Sequence, residues 1–327
     1  HSFPTRRSSD LNHEHIPHAQ QSIKAQNKFV VYTVMVGGYD EILQPKVVDE
    51  RFDYDMFADE KKIDCIGVWQ VRTFDYRNED KTRESRYPKM HPEELLPEYE
   101  ASLYIDANLN IADREIYDTV VSYCEQGVDW AGYKTPLDDC IYGHAYWVMS
   151  MQLDREKTVF ELCKMLRKEG YPRNNGLHEN AIIYRRNNDI CRQVDEMWWD
   201  LYVRYSRRDQ LSLDYVLWKY PDIEERSILP QGERYCSTKL VICTSHTSKA
   251  YGTNRRAVCQ DTFFQLLRAK IRSSIPEKRE RFEDFHFWLY GLPPFVARVL
   301  LFTWGMAYAP KCLYRYLQRR RERSLSS

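Results

Sequence analysis

Lys28–Val36 reads KFVVYTVMV, an apolar, β-branched run without polar alternation. A strand facing water on one side alternates. A continuous run suits a strand buried on both faces, as in a parallel sheet covered by helices. Gly37, Gly38 and Tyr39 follow at once. Paired glycines after a first strand let backbone approach a ligand closely, and they equally make an ordinary turn.

The rest of the chain fits the same architecture. Asp53–Phe57 and Ile63–Trp69 read as short strands. Glu115–Glu125, Lys157–Glu169 and Ile190–Tyr205 carry apolar residues at helical spacing. Gly170 is placed to cap the second of these. Trp130–His144 reads as a loop, Ala145–Met149 as a strand, and Ala181–Tyr184 as another strand. Strands alternating with helices predict an α/β fold with a mostly parallel sheet. Ligands bind such sheets at the carboxyl ends of the strands. Gly37, Gly38 and Asp106 belong near that rim. Glu179 precedes its strand and fits less cleanly.

Ser102–Ile105 ends in Asp106-Ala107-Asn108. A strand's period of two puts Asp106 and Asn108 on one side. Two oxygen ligands there can hold a hard divalent cation, and the cation a diphosphate. A plain strand-to-turn junction explains the same residues, since Asp and Asn favour turns. Arg83, Arg86 and Lys89 share roughly one face of a helix. That face is either solvated or a basic wall for phosphates.

Lys+Arg and Asp+Glu balance at 48 each, which does not suggest general nucleic-acid binding. The nine cysteines include no C-x-x-C pair. Reduced thiols in a cytoplasmic protein are expected. Residues 1–27 are polar and aperiodic and read as a disordered or foreign leader. Residues 28–225 make the folded domain, and 226–284 a linker and helical extension. Residues 285–327 form an apolar segment followed by Arg315, Arg319, Arg320, Arg321 and Arg323. Pro293-Pro294 and Arg298 interrupt it, so a helix or hairpin on a membrane interface fits better than a span. A helical pair packed on the domain, or a contact between copies, is the alternative. The membrane reading places the protein peripherally on the inner face of the membrane.

Six blocks then stand out as a set: VYTVMVGGYD, RESRYPKMHP, LYIDANLNI, PLDDCIYGHA, YPRNNGLHENAIIYRRN and WWDLYVRYSRRDQLSLDYVLWK. Together, over roughly residues 29–220, they resemble a glycosyltransferase-like family long catalogued as a domain of unknown function, with plant and bacterial members. That family resembles GT-A glycosyltransferases, whose Rossmann-like sheet binds a nucleotide-sugar. GLHEN followed by RDQ is also similar to family-eight glycosyltransferases. The resemblance implies that Val34, Gly37, Gly38 and Tyr39 line the nucleotide. It implies Arg83, Arg86 and Lys89 at the diphosphate, and Asp106 and Asn108 in place of the metal-binding D-x-D. Glu179, Asp209 and Gln210 would face sugar and acceptor, with Asp209 the first and Glu179 the second candidate for general base or sugar-orienting acid. The second acid of D-x-D is an amide here, which removes one negative charge from a site for Mn²⁺ or Mg²⁺.

The expected function is transfer of a sugar from UDP or another nucleotide to a polysaccharide or lipid-linked acceptor at the membrane. Two other classes compete. One is a metal-dependent hydrolase of a lipid or phosphoester, using His91, His144 and His178. The other is a non-catalytic membrane-attached scaffold with a degenerate transferase fold.

Overall fold

β1 (Phe29–Met35) is buried along its whole length. Its alternate side chains enter two separate cores, Val30, Tyr32 and Val34 on one side, Phe29, Val31 and Met35 on the other. The unbroken apolar run thus serves a strand covered on both faces. The computed structural model describes residues 25–38, 41–150, 153–244 and 276–308, with isolated positions beyond. Tyr39 and most of the expected leader lie outside the described residues.

Around β1, eight strands make one sheet in the order β3-β4-β2-β1-β5-β8-β7-β9. They are β2 (Phe52–Ala58), β3 (Cys65–Ile66), β4 (Trp69–Thr73), β5 (Ala101–Ile105), β7 (Trp130–Gly132), β8 (Ile182–Arg186) and β9 (Glu225–Ser227). Pairings β1–β2, β1–β5, β2–β4 and β7–β9 are parallel. β8 runs antiparallel to both neighbours, β5 and β7. A second, two-stranded sheet joins β6 (Leu109–Ile111) to β10 (Val241–Cys243). The helices are α1 (Lys81–Met90), α2 (Pro92–Leu95), α3 (Glu115–Gln126), α4 (Ile141–Ser150), α5 (Glu156–Lys168), α6 (Asp189–Arg204), α7 (Leu213–Lys219), α8 (Pro276–Tyr290) and α9 (Pro294–Tyr308).

The chain is therefore α/β, with a large, mostly parallel sheet flanked by helices. Three local expectations change. Ala145–Met149 is the second half of α4, not a strand. Five apolar residues have no period that separates a buried strand from a buried helix. Trp130–His144 is not all loop, because β7 opens it and α4 closes it. Ile63–Trp69 breaks at Gly67 into β3 and the start of β4. The boundary expected at 284/285 falls inside α8. Residues 226–244 return to the domain through β10. Among the described residues no helix is long and apolar enough to cross a membrane.

Candidate active site

Asp80 caps α1, its carboxylate accepting the Thr82 backbone N–H at 3.0 Å. That cap starts the helix carrying Arg83, Arg86 and Lys89. The face is not solvated. Lys89 is 1% exposed at the helix end. Its backbone carbonyl accepts bonds from Arg185 Nη2 at 2.6 Å and from the Tyr32 hydroxyl at 3.2 Å. Arg185 lies on β8, is fully buried, and pairs with Asp195 of α6 at 2.7 Å. The strands thus pin the end of α1, and Lys89 cannot withdraw to solvent.

Lys89 Nζ instead meets two acids. It lies 2.9 Å from Asp209 Oδ2 and 3.6 Å from Asp106 Oδ1, and 4.7 Å from the centre of the Tyr104 ring. Arg86 Nε adds a second cation 3.3 Å from Asp209 Oδ2. Asp209 opens a 3-10 turn, Asp209–Leu211, whose first carbonyl accepts the Trp198 indole N–H at 3.0 Å. Trp198 is fully buried and packs in the core. Burial would raise the Asp209 carboxyl. Lys89 and Arg86 overcome it and hold that carboxyl well below the usual carboxylate range. Burial likewise pulls Lys89 below an ordinary lysine, against the attraction of Asp209 and Asp106. Asp106 follows β5 and accepts the Tyr104 hydroxyl at 2.6 Å. At 32% side-chain exposure it is the acid of this cluster that solvent reaches.

Register places the remaining residues. β1 and β5 are level at Tyr32 and Tyr104. Both strands run on in the same direction from there, β1 to Val34 and Met35, β5 to Ile105 and the Asp106 that follows it. Because β8 is antiparallel, its beginning meets the end of β5: Ile182 pairs with Ile105, and the Asp106 N–H donates to the Ala181 carbonyl at 2.9 Å. Glu179 and Asn180 therefore lie at the same rim as Asp106. Glu179 is gripped by Arg234 through Nε at 2.9 and 3.1 Å and through Nη2. Burial, then the charges of Glu179 and Asp106, push the nearby Tyr133 phenol far up. Gln210 Nε2 donates to the His178 carbonyl at 3.4 Å. Thus Glu179, Gln210, Asp209, Asp106, Arg86 and Lys89 form one connected neighbourhood.

Arg83 does not join it. Its Nη1 donates to the carbonyls of Tyr202 and Val203 and so caps the end of α6. Gly37 and Gly38 are exposed at the end of β1 with φ of 71° and 59°, a region that favours glycine. The Gly37 N–H donates to Asp59 at 3.1 Å. Three residues were absent from the sequence expectation: Arg185, Arg234 and Asn180. Nothing in a sequence marks the first two. Asn180 is 5% exposed, and both polar atoms of its amide lack a hydrogen-bond partner. Buried amides are rarely left so.

Asp106 and Asn108, expected as metal ligands, sit in the turn that follows β5. Asn108 turns its Nδ2 to the Thr244 carbonyl at 3.2 Å, and its amide oxygen is the atom that could ligate. Among the described residues no group of three or more His, Cys, Asp or Glu is arranged around a metal position. The donor set suits a cation that arrives with a diphosphate, which supplies further oxygens. The histidines have separate partners. His91 stacks on Tyr87 at 4.1 Å between ring centres, and His144 lies 4.0 Å from Asp138. His178 is buried between Asp214 at 2.7 Å and Glu225 at 3.2 Å.

No curated protein matches the chain. The family described as "TOD1/MUCI70, glycosyltransferase-like domain" matches residues 10–235, more than half of the sequence. The match covers the α/β sheet and the acids and cations gathered at its rim, and the chain belongs to this glycosyltransferase-like family.

Proposed function

We propose that this transferase uses a nucleotide-sugar donor, and that Lys89 and Arg86 bind its diphosphate. The observation that carries this reading is a buried lysine and a half-buried arginine converging on one acid at a strand rim. Substrate phosphate can share these two cations with Asp209. Val34, Gly37, Gly38 and Tyr39 would line the nucleotide. Asp106 and Asn108 would hold Mn²⁺ or Mg²⁺ carried in by the diphosphate, which neutralises charge there.

In the reaction the bond between the anomeric carbon and the diphosphate oxygen breaks. Its electron pair stays on the diphosphate, and Lys89 and Arg86 stabilise that charge. The acceptor hydroxyl oxygen bonds the anomeric carbon. Its proton passes to the departing diphosphate, because cations occupy both carboxylates that could otherwise take it. Asp209, held strongly acidic, is a poor base at neutral pH. We assign Asp209 and Gln210 to orienting sugar hydroxyls, with Glu179 fixed by Arg234 and the unpartnered Asn180 amide on the acceptor side. The acceptor we infer is a glycan or lipid-linked sugar at a membrane surface.

Calorimetric titration of the purified full chain with a panel of nucleotide-sugars, with and without Mn²⁺, tests the reading. Binding that Lys89→Met abolishes supports it. A folded wild type that binds none of the panel removes it, and favours a scaffold whose Lys89–Asp209 pair permanently fills the site.

A further inference from the structure

The C-terminal hairpin presents a second surface. α8 is fastened to the domain. Arg167 and Arg173 both reach Asp284 at 2.6 Å, and Arg173 also reaches the buried Glu283. Phe287 is buried against Phe160, with ring centres 6.3 Å apart. α8 packs on α4, and α4 packs on the turn that carries Asp209. α9 folds back along α8, where Phe285 and Trp304 stack at 5.8 Å.

Among the described residues the outer side of α9 has no such cover. Phe295, Val299, Phe302 and Met306 recur at spacings of three and four, on one helical face, and all are exposed. Phe295 is 76% exposed. Tyr314 and Leu317, also exposed, continue the same spacing. A single exposed leucine is ordinary, whereas a contiguous apolar stripe marks an interaction surface. In the sequence Arg315, Arg319, Arg320, Arg321 and Arg323 follow this stripe. An apolar contact between two copies would bring two such clusters together. An anionic lipid surface satisfies both the stripe and the arginines. At fifteen residues α9 spans about 22 Å, short of the roughly 30 Å of a bilayer core.

We propose that α9 lies in the plane of an anionic membrane surface with Phe295, Val299, Phe302 and Met306 in the acyl boundary. α8 is then a strut that fixes the rim bearing Asp209 at a set height above the lipid. The inference is independent of the transferase reading, since vesicle binding and nucleotide-sugar binding are measured separately.

The test is flotation of the full chain with phosphatidylcholine vesicles, with and without phosphatidylserine. The protein should float with the anionic vesicles and release as salt rises. F295D/F302D should lower the bound fraction on the order of tenfold or more. V203D, at an exposed apolar residue on α6, should float like wild type. Neutralising the five arginines to Gln should erase the preference for phosphatidylserine. Retained flotation of F295D/F302D overturns the proposal. So does a wild type that ignores vesicles and sediments as a dimer which F295D/F302D separates, since the stripe would then be a contact between copies.

Discussion

Lys89 Nζ and Asp209 Oδ2 are 2.9 Å apart and both side chains are buried, although 120 residues separate them in the chain. The pair ties α1 to the turn after α6 at the rim of the sheet. Fully stranding a buried charge costs about 3–5 kcal/mol. Lys89→Met leaves Asp209 with Arg86 and should lower the unfolding free energy by less than that, about 1–3 kcal/mol, in a urea titration. Asp209→Leu leaves both Lys89 and Arg86 without that carboxylate and should cost more than Lys89→Met. A single variant as stable as wild type would refute the pairing.

Asp106 should behave oppositely. It is partly exposed and its carboxylate takes a hydrogen bond from Tyr104. Asp106→Asn preserves shape and should change stability by less than about 1 kcal/mol. Sugar transfer should fall by about a hundredfold, as for other losses of placed charge in a transfer site. Equal turnover by the variant would take Asp106 out of the site.

Arg185 joins three groups: Asp195, the Tyr32 hydroxyl and the Lys89 carbonyl. A lysine ammonium keeps the charge without the planar fork. Arg185→Lys should cost about 2–4 kcal/mol of stability and weaken nucleotide-sugar binding through misplacement of Lys89. Binding unchanged at a temperature where the variant is folded would separate Arg185 from the site.

His178 gives a pH signature. Burial alone would lower its pKa. The carboxylates of Asp214 and Glu225 outweigh burial and raise it to about 9. The folded value lies above the unfolded one, so the stabilisation is complete below about pH 6.5 and is lost as pH rises through about 9. The shift corresponds to about 3 kcal/mol. Glu93, which burial raises to about 8, loses stability in the same direction as pH rises. The difference between wild type and Asp214→Asn isolates the histidine. That difference should shrink between pH 6.5 and 9, and a constant difference in thermal melts would contradict the assignment.

Chelation separates the roles of metal and side chains. EDTA should weaken donor binding by wild type and added Mn²⁺ should restore it. Asp106→Asn should be insensitive to both, whereas Lys89→Met should bind poorly in either condition. Full metal dependence in the Asp106→Asn variant would move the cation elsewhere.

Much of the fold was legible because its signals are local. The buried run at β1, the helical spacing over α3, α5 and α6, and the six ordered blocks require no knowledge of distant contacts. The α4 region was not legible, since a short apolar run lacks a decisive period.

The site was legible only as a set of residue types. The sequence alone determined that Asp106 follows a strand and that Arg83, Arg86 and Lys89 recur at helical spacing. Spacing put those three cations on one face but could not say where that face points. Tertiary packing buried Lys89 against Asp209, sent Arg83 to cap α6, and drew Arg234 onto Glu179. It also reversed the direction of β8. Side-chain periodicity is identical for parallel and antiparallel strands, so a sequence does not reveal strand direction. That direction is what brings a residue preceding its strand, Glu179, to the rim where the preceding strand ends.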